Sequence, residues 1–185
     1  MSNAKNYLSS SFSCKADSSE EGAFWGYASV FFVRDSQNDV VLPGAFKNAT
    51  QGARTIPLLW QHRHDAPIGV INELREDAVG LRVKGKLNME VAQAREANAL
   101  LRSGAANGLS IGYEVEDHRY DAETDARLLV AVKLWEVSLV TFPANAAARA
   151  ESPKSADPLS AREKILLAER MARMCLEMDG AGLRN

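Results

Sequence analysis

Between residues 23 and 142 the chain is a series of short runs of aromatic and β-branched residues separated by polar turns, and that spacing restricts it to a fold dominated by β-sheet. The first run, 23–33, carries Phe24, Trp25, Tyr27, Val30, Phe31, Phe32 and Val33. A turn follows at 35–39, where short polar side chains compete with regular backbone pairing. Val40-Val41-Leu42 re-enters the sheet until Pro43-Gly44 stops it, and 45–49 suits one helical turn. Ile56, Leu58, Leu59 and Trp60 mark a strand over 55–61. Residues 68–74 and 79–87 read as a hairpin that turns at Glu76-Asp77. Strands are expected again over 109–115 and 127–142. The charged stretch 116–125 reads as the loop between them, and Pro143-Ala144-Asn145 ends the last strand.

One segment inside this series breaks the period. Over 89–103, Met89, Ala92, Ala97, Leu100 and Leu101 recur at helical spacing, with Asn88 as the N-cap and Gly104 as the stop. A second helical pattern, 159–180, follows an Ala-, Ser- and Pro-rich linker at 148–158, and 1–20 reads as a loose arm. The expected class is α+β, mainly β: a core domain over 21–147 and an amphipathic C-terminal helix on a linker. Hydrophobic residues make up 46% of the 185, enough to bury a sizeable core. A net charge of -2 gives no reason to expect nucleic acid or an anionic membrane as the main partner. Cys14 and Cys175 are too few for a disulfide framework or a metal site, which fits a reducing cytosol. No apolar run approaches the ~20 residues of a membrane span, and no signal-peptide pattern opens the chain.

Three residues are candidates for chemistry. Ser110 lies in Gly108-Leu109-Ser110-Ile111-Gly112. Glycines on both sides allow close approach to a nucleophile, and backbone amides around it (Gly108, Leu109 and Ile111) are candidate oxyanion donors. The bland alternative is a serine in a Gly-rich turn entering a strand. The segment also fits G-x-S-x-G, but that elbow needs a strand before the serine, a helix after it and a histidine well downstream. Here the helix precedes, the strand follows, and the one later histidine is His118 in a charged stretch. His62 ends the apolar run Pro57-Leu58-Leu59-Trp60-Gln61, a place from which a firmly held imidazole can reach a cleft as general base. His64, between Arg63 and Asp65, reads as a polar-turn residue. Glu136 is a charge inside the apolar run Leu134-Trp135-Glu136-Val137-Ser138-Leu139-Val140, so it must face solvent or hold a partner. An imidazole is one such partner; an Arg or Lys across a sheet edge is the other.

Five motifs stand in a fixed order: Gly26-Tyr27-Ala28; Asp39-Val40-Val41-Leu42-Pro43-Gly44-Ala45-Phe46; Leu59-Trp60-Gln61-His62; Gly108-Leu109-Ser110-Ile111-Gly112-Tyr113; and Glu136-Val137-Ser138-Leu139-Val140-Thr141-Phe142-Pro143-Ala144-Asn145. In that order, over about 22–147, the chain resembles the caudoviral prohead maturation proteases. The resemblance implies a fold like that of herpesvirus capsid assembly proteases, an antiparallel β-barrel-like core with surrounding helices. It implies endopeptidase activity on the scaffold segment of the major capsid protein and on the protease itself, inside the prohead assembling in the host bacterial cytoplasm, with self-association and no cofactor. It carries Ser110 over as nucleophile, His62 as base and Glu136 as third member, with His64 as the rival for that third place. Two other readings remain open. A metal-dependent hydrolase would use His62 and His64, two apart on one strand face, with Asp65 or Glu136. A non-catalytic scaffold or capsid-binding module would keep the fold without the chemistry.

Overall fold

The computed structural model describes residues 15–16, 21–50 and 55–148, all within the first of the two units into which the chain divides, Met1–Ser155. The expected linker beyond residue 148 and the helix at 159–180 lie outside the described residues, as does most of the 1–20 arm. Strands β1 (Lys15–Ala16), β2 (Ala23–Val30) and β3 (Asp39–Val41) lead to a short helix α1 (Lys47–Thr50). Then come β4 (Ile56–Trp60), β5 (Arg63–Glu76), β6 (Gly80–Leu87), helix α2 (Ala92–Ser103), β7 (Gly108–Asp121) and β8 (Ala126–Val140). They form one sheet in the order β1-β2-β6-β5-β4-β8, with β7 on the far side of β8 and β3 sharing an edge of β8 with β4. The sheet curls until β7 comes back against β2, which gives the mainly β, barrel-like core.

Alternation dictates the inside of this curl. On β6, Leu81, Val83 and Leu87 point inward and are buried, whereas Lys84 is exposed. Phe31 and Phe46 stack at 6.4 Å beneath the sheet and are almost fully buried. Helix α2 lays Ala94, Ala97 and Leu101 against β5 and β6, while Leu100 sits at the rim. Its last turn is closed by Gly104, whose φ of 76° is left-handed backbone that glycine adopts without cost.

The structure departs from the sequence-based expectations in four places. Helix α2 starts at Ala92, with Val91 as a cap that makes no side-chain bond. Asn88 is not its N-cap: its amide is still donated to Ile68 O as an extension of β6, and its side chain accepts from Glu90 N in the turn that follows. The stretch 116–125 is a loop only at 122–125, the turn of the hairpin. β7 and β8 stay paired as far as Asp121 and Ala126, and the charges there cover an exposed face. The tip is braced where Arg34 Nη2 donates to Asp125 O at 2.6 Å. The sheet is not wholly antiparallel, because β3 and β4 both run parallel to β8. Last, His62 does not end a strand. It lies in the two-residue turn between β4 and β5. Among the described residues no helix is long and apolar enough to cross a membrane.

Candidate active site

Residues two apart on a strand share a face, so Glu136 and Ser138 of β8 project together. Opposite them on β7 stand Gly112 and Ser110, paired as Gly112↔Glu136 and Ser110↔Ser138. Along the other edge of β8, β4 pairs Leu59 with Ser138 and Trp60 with Leu139. One step beyond Trp60 the chain reverses through Gln61-His62, with φ of 54° and 58°, and returns at Arg63 opposite Trp60. Two left-handed residues in a two-residue connection make a type I′ hairpin turn, which Asn-Gly normally fills. Here each non-glycine residue costs about 1–2 kcal/mol of backbone strain.

The strain is held by bonds to β8. Gln61 N donates to Leu139 O at 3.1 Å, and Gln61 Nε2 donates to Thr141 Oγ1 at 2.8 Å. Thr141 N donates to Gln61 Oε1 at 3.4 Å, and His62 N donates to Ser138 Oγ at 3.1 Å. The turn thereby brings His62 Nδ1 to 2.6 Å from Glu136 Oε1. Glu136 is only 4% exposed, and its other oxygen accepts the Ser138 hydroxyl at 2.8 Å. A buried carboxylate is tolerated when both oxygens are bonded, and these two are. With Nδ1 donating to the carboxylate, Nε2 is the ring nitrogen that keeps its lone pair. Gly112 makes room for this arrangement: a Cβ there would lie 2.4 Å from Glu136 Oε1.

Ser110 and His62 line one cleft of about 340 Å³. Ser110 retains slight exposure to it, whereas Ser138 is fully buried. Of the candidate oxyanion donors, Leu109 is ruled out because its amide is already donated to Ala148 O at 3.1 Å. Amides alternate between the two edges of a strand. Those of Gly108 and Ser110 therefore turn toward β8, and that of Ile111 turns away from it, as Leu109's does. Ile111 also lines the cleft.

The far end of the cleft is polar. Buried Asp39 accepts from Arg127 Nε at 2.7 Å, from Arg127 Nη2 at 2.6 Å and from the Tyr113 hydroxyl at 2.9 Å. Burial, and then the Asp39 carboxylate, push the Tyr113 phenol well above its usual range. Hydrogen bonding to Asp39 makes Arg127 hold its proton more firmly. Asp35 is raised by burial, partly offset by the amides of Asp39 and Gln37 that its carboxylate accepts.

His64 is exposed on β5 beside the solvent-facing Arg63–Asp65 pair and does not line the cleft. His118 is exposed on β7 opposite Leu129. His62 and His64 do not share a strand face, because one is in the turn and the other in the strand. Among the described residues no group of three His, Cys, Asp or Glu could hold a metal ion. Sequence reading missed Ser138, although its two-residue offset from Glu136 already put it on the same strand face. It also missed the seating of Glu136 over Gly112 and the Asp39–Arg127–Tyr113 cluster, which joins residues far apart in the chain.

A protein-family model described as caudovirus prohead serine protease matches residues 10–162. The prohead protease of Enterobacteria phage HK97 is 37% identical over 141 residues, covering 75% of this chain and 63% of that protein. The capsid polyprotein of Pseudomonas phage PAJU2 is 33% identical over 132 residues, covering 66% of this chain and 19% of that protein. The chain therefore spans less than two thirds of the length of either relative. Among solved structures, KSHV protease in complex with a hexapeptide phosphonate inhibitor aligns with a TM-score of 0.46 and 12% identity, over 82% of this chain and 76% of that one.

Proposed function

This chain belongs to the caudovirus prohead serine protease family, and from that premise we propose that it is a serine endopeptidase that cleaves the scaffold segment of a phage major capsid protein, and itself, during prohead maturation. The observation that carries the reading is the cleft shared by Ser110 and His62, with Glu136 bonded to the imidazole at 2.6 Å behind it. Ser110 Oγ attacks the scissile carbonyl carbon as its proton passes to His62 Nε2. Glu136 holds the ring in the tautomer that can take that proton and stabilises the imidazolium that results. The oxyanion develops toward the Ile111 amide. The imidazolium then gives its proton to the leaving nitrogen, the C–N bond breaks, and an acyl-enzyme on Ser110 remains. Water, deprotonated by His62, attacks that ester, the bond to Ser110 Oγ breaks, and the serine recovers its proton.

The names of the two phage relatives, a prohead protease and a capsid polyprotein, support capsid protein as the substrate. The setting that follows is the interior of an assembling prohead in the bacterial cytoplasm. A metal-dependent mechanism lacks a third ligand beside His62 and His64 among the described residues. The test is Ser110→Ala. It is expected to fold as the parent does, to lose fluorophosphonate labelling and to lose trimming of co-expressed capsid protein by at least about 10³-fold, the scale on which triad members act. Trimming at the parent rate by the Ser110→Ala protein would refute the assignment.

A further inference from the structure

A hydroxyl that is fully buried, and that lies on the same strand face as the acid of an acid–base pair, has a use that its neighbours define. Ser138 Oγ accepts the backbone N–H of His62 at 3.1 Å and donates to Glu136 Oε2 at 2.8 Å. The direction of both bonds is fixed by chemistry. An amide can only donate, so the hydroxyl must accept there, and its one proton is left for the carboxylate, which can only accept. The bonds close a ring: His62 amide, Ser138 hydroxyl, Glu136 carboxylate, His62 imidazole. We propose that Ser138 is a positioning residue that fixes the His62 backbone and the Glu136 carboxylate relative to each other, so that one side chain sets both the placement of the base and the aim of the acid.

The location supports a positioning role over a second nucleophile. Ser138 is 0% exposed, whereas Ser110, directly across the ladder, opens to the cleft. The turn that carries His62 is left-handed at both residues, so its geometry depends on the groups that grip it. Gln61 grips one end through Leu139 and Thr141, and Ser138 grips the residue that bears the imidazole. A hydroxyl at this place is the smallest group that can accept and donate at once. Alanine removes both bonds and leaves the His62 amide and Glu136 Oε2 without that partner.

The proposal rests on the reading of Ser110, His62 and Glu136 given above, and the experiment separates the two. Fluorophosphonate labelling of Ser110 in the full chain is followed as a second-order rate, together with the rate of capsid-protein trimming, for the parent, Ser110→Ala, Ser138→Ala, Glu136→Ala and the Ser138→Ala/Glu136→Ala double variant. Ser138→Ala is expected to slow labelling about 30-fold, within the range that an ångström of misplacement brings. It is expected to lower kcat for trimming with KM unchanged. In the Glu136→Ala background the same change is expected to cost clearly less, about 10-fold or below, because the carboxylate it aims is gone and only its grip on the His62 amide remains to be lost. Labelling of Ser138→Ala at the parent rate, or an equal loss in both backgrounds, would overturn the positioning role and leave the nucleophile assignment intact. Unaltered labelling of Ser110→Ala would overturn the site itself. If Ser138→Ala does not fold, Ser138→Cys, which keeps the volume and bonds weakly through sulfur, carries the same cycle with the same two outcomes.

Discussion

Replacing Gly112 with alanine puts a methyl carbon 2.4 Å from Glu136 Oε1, 2.8 Å from its Cγ and 2.9 Å from its Cδ. Carbon and oxygen rest roughly 3.4 Å apart or more when not bonded, on the usual scale of such contacts, so the carboxylate must retreat by about 1 Å. The oxygen that retreats is the one bonded to His62 Nδ1 at 2.6 Å. A shift of that size in any direction spoils this contact, which has no slack to shorten and passes the roughly 3.2 Å limit of a good N–H···O bond if it lengthens. Misplacement by ~1 Å costs about 10²-fold, which is about 2.7 kcal/mol of transition-state stabilisation. Fold stability changes less, by about 1 kcal/mol, the low end for overpacking, because the obstructing atoms belong to a side chain rather than to backbone. The assay is the second-order rate of fluorophosphonate labelling of Ser110, beside a urea melt. Gly112→Ala is expected to label about 100-fold more slowly than the parent while remaining folded. Combined with Glu136→Ala it is expected to cost nothing further, since the space it claims is then vacant. Parent-like labelling of Gly112→Ala, or a fresh 100-fold loss on top of Glu136→Ala, would refute the reasoning.

Arg127→Met leaves the buried Asp39 carboxylate with the Tyr113 hydroxyl but without its cation. Breaking a buried pair costs about 3–5 kcal/mol; the Arg127 side chain is 41% exposed, which discounts the loss to about 2 kcal/mol, read as a lower urea midpoint at unchanged m. An unmoved midpoint would show that the pair contributes nothing. The Tyr113 phenol is raised above its unfolded value, so the stability it contributes is whole below the unfolded pKa near ~10 and fades as pH rises through the folded one. The advantage of the parent over Tyr113→Phe in urea melts should therefore narrow from pH 9 to pH 11, and an absorbance titration of that variant should lose one phenol that ionises above the usual range.

The β-rich core was legible because alternation and turn composition are local signals, and β2, β6 and the body of α2 follow them. Where the reading failed, a non-local partner had overruled a local cue. Charge over 116–120 suggested a loop, yet β8 pairs with that stretch and leaves its charges on an exposed face. Asn88 has the chemistry of an N-cap, but Ile68 keeps its backbone in the sheet. Gln61-His62 lacks the Asn-Gly chemistry of a type I′ turn, and its geometry is held by β8, some 75 residues later in the chain. Ser110, His62 and Glu136 could be singled out as candidates from sequence because each is an oddity in its own run. Their relative placement could not, because it depends on the parallel pairing of β4 with β8.

That pairing also sets a schedule. Ser110 and Glu136 sit on neighbouring strands of one hairpin and meet through a short loop, but His62 joins them only when β4 docks on β8 across a long stretch of chain. Contacts of high sequence separation must close a large loop before they return any stabilisation, so they form slowly. β8 is also the last strand among the described residues to leave the ribosome. A chain whose β7–β8 hairpin has formed before β4 docks thus holds its serine and its carboxylate without the base beside them. The proposed peptidase therefore has no assembled base until that long-range strand pair is in place.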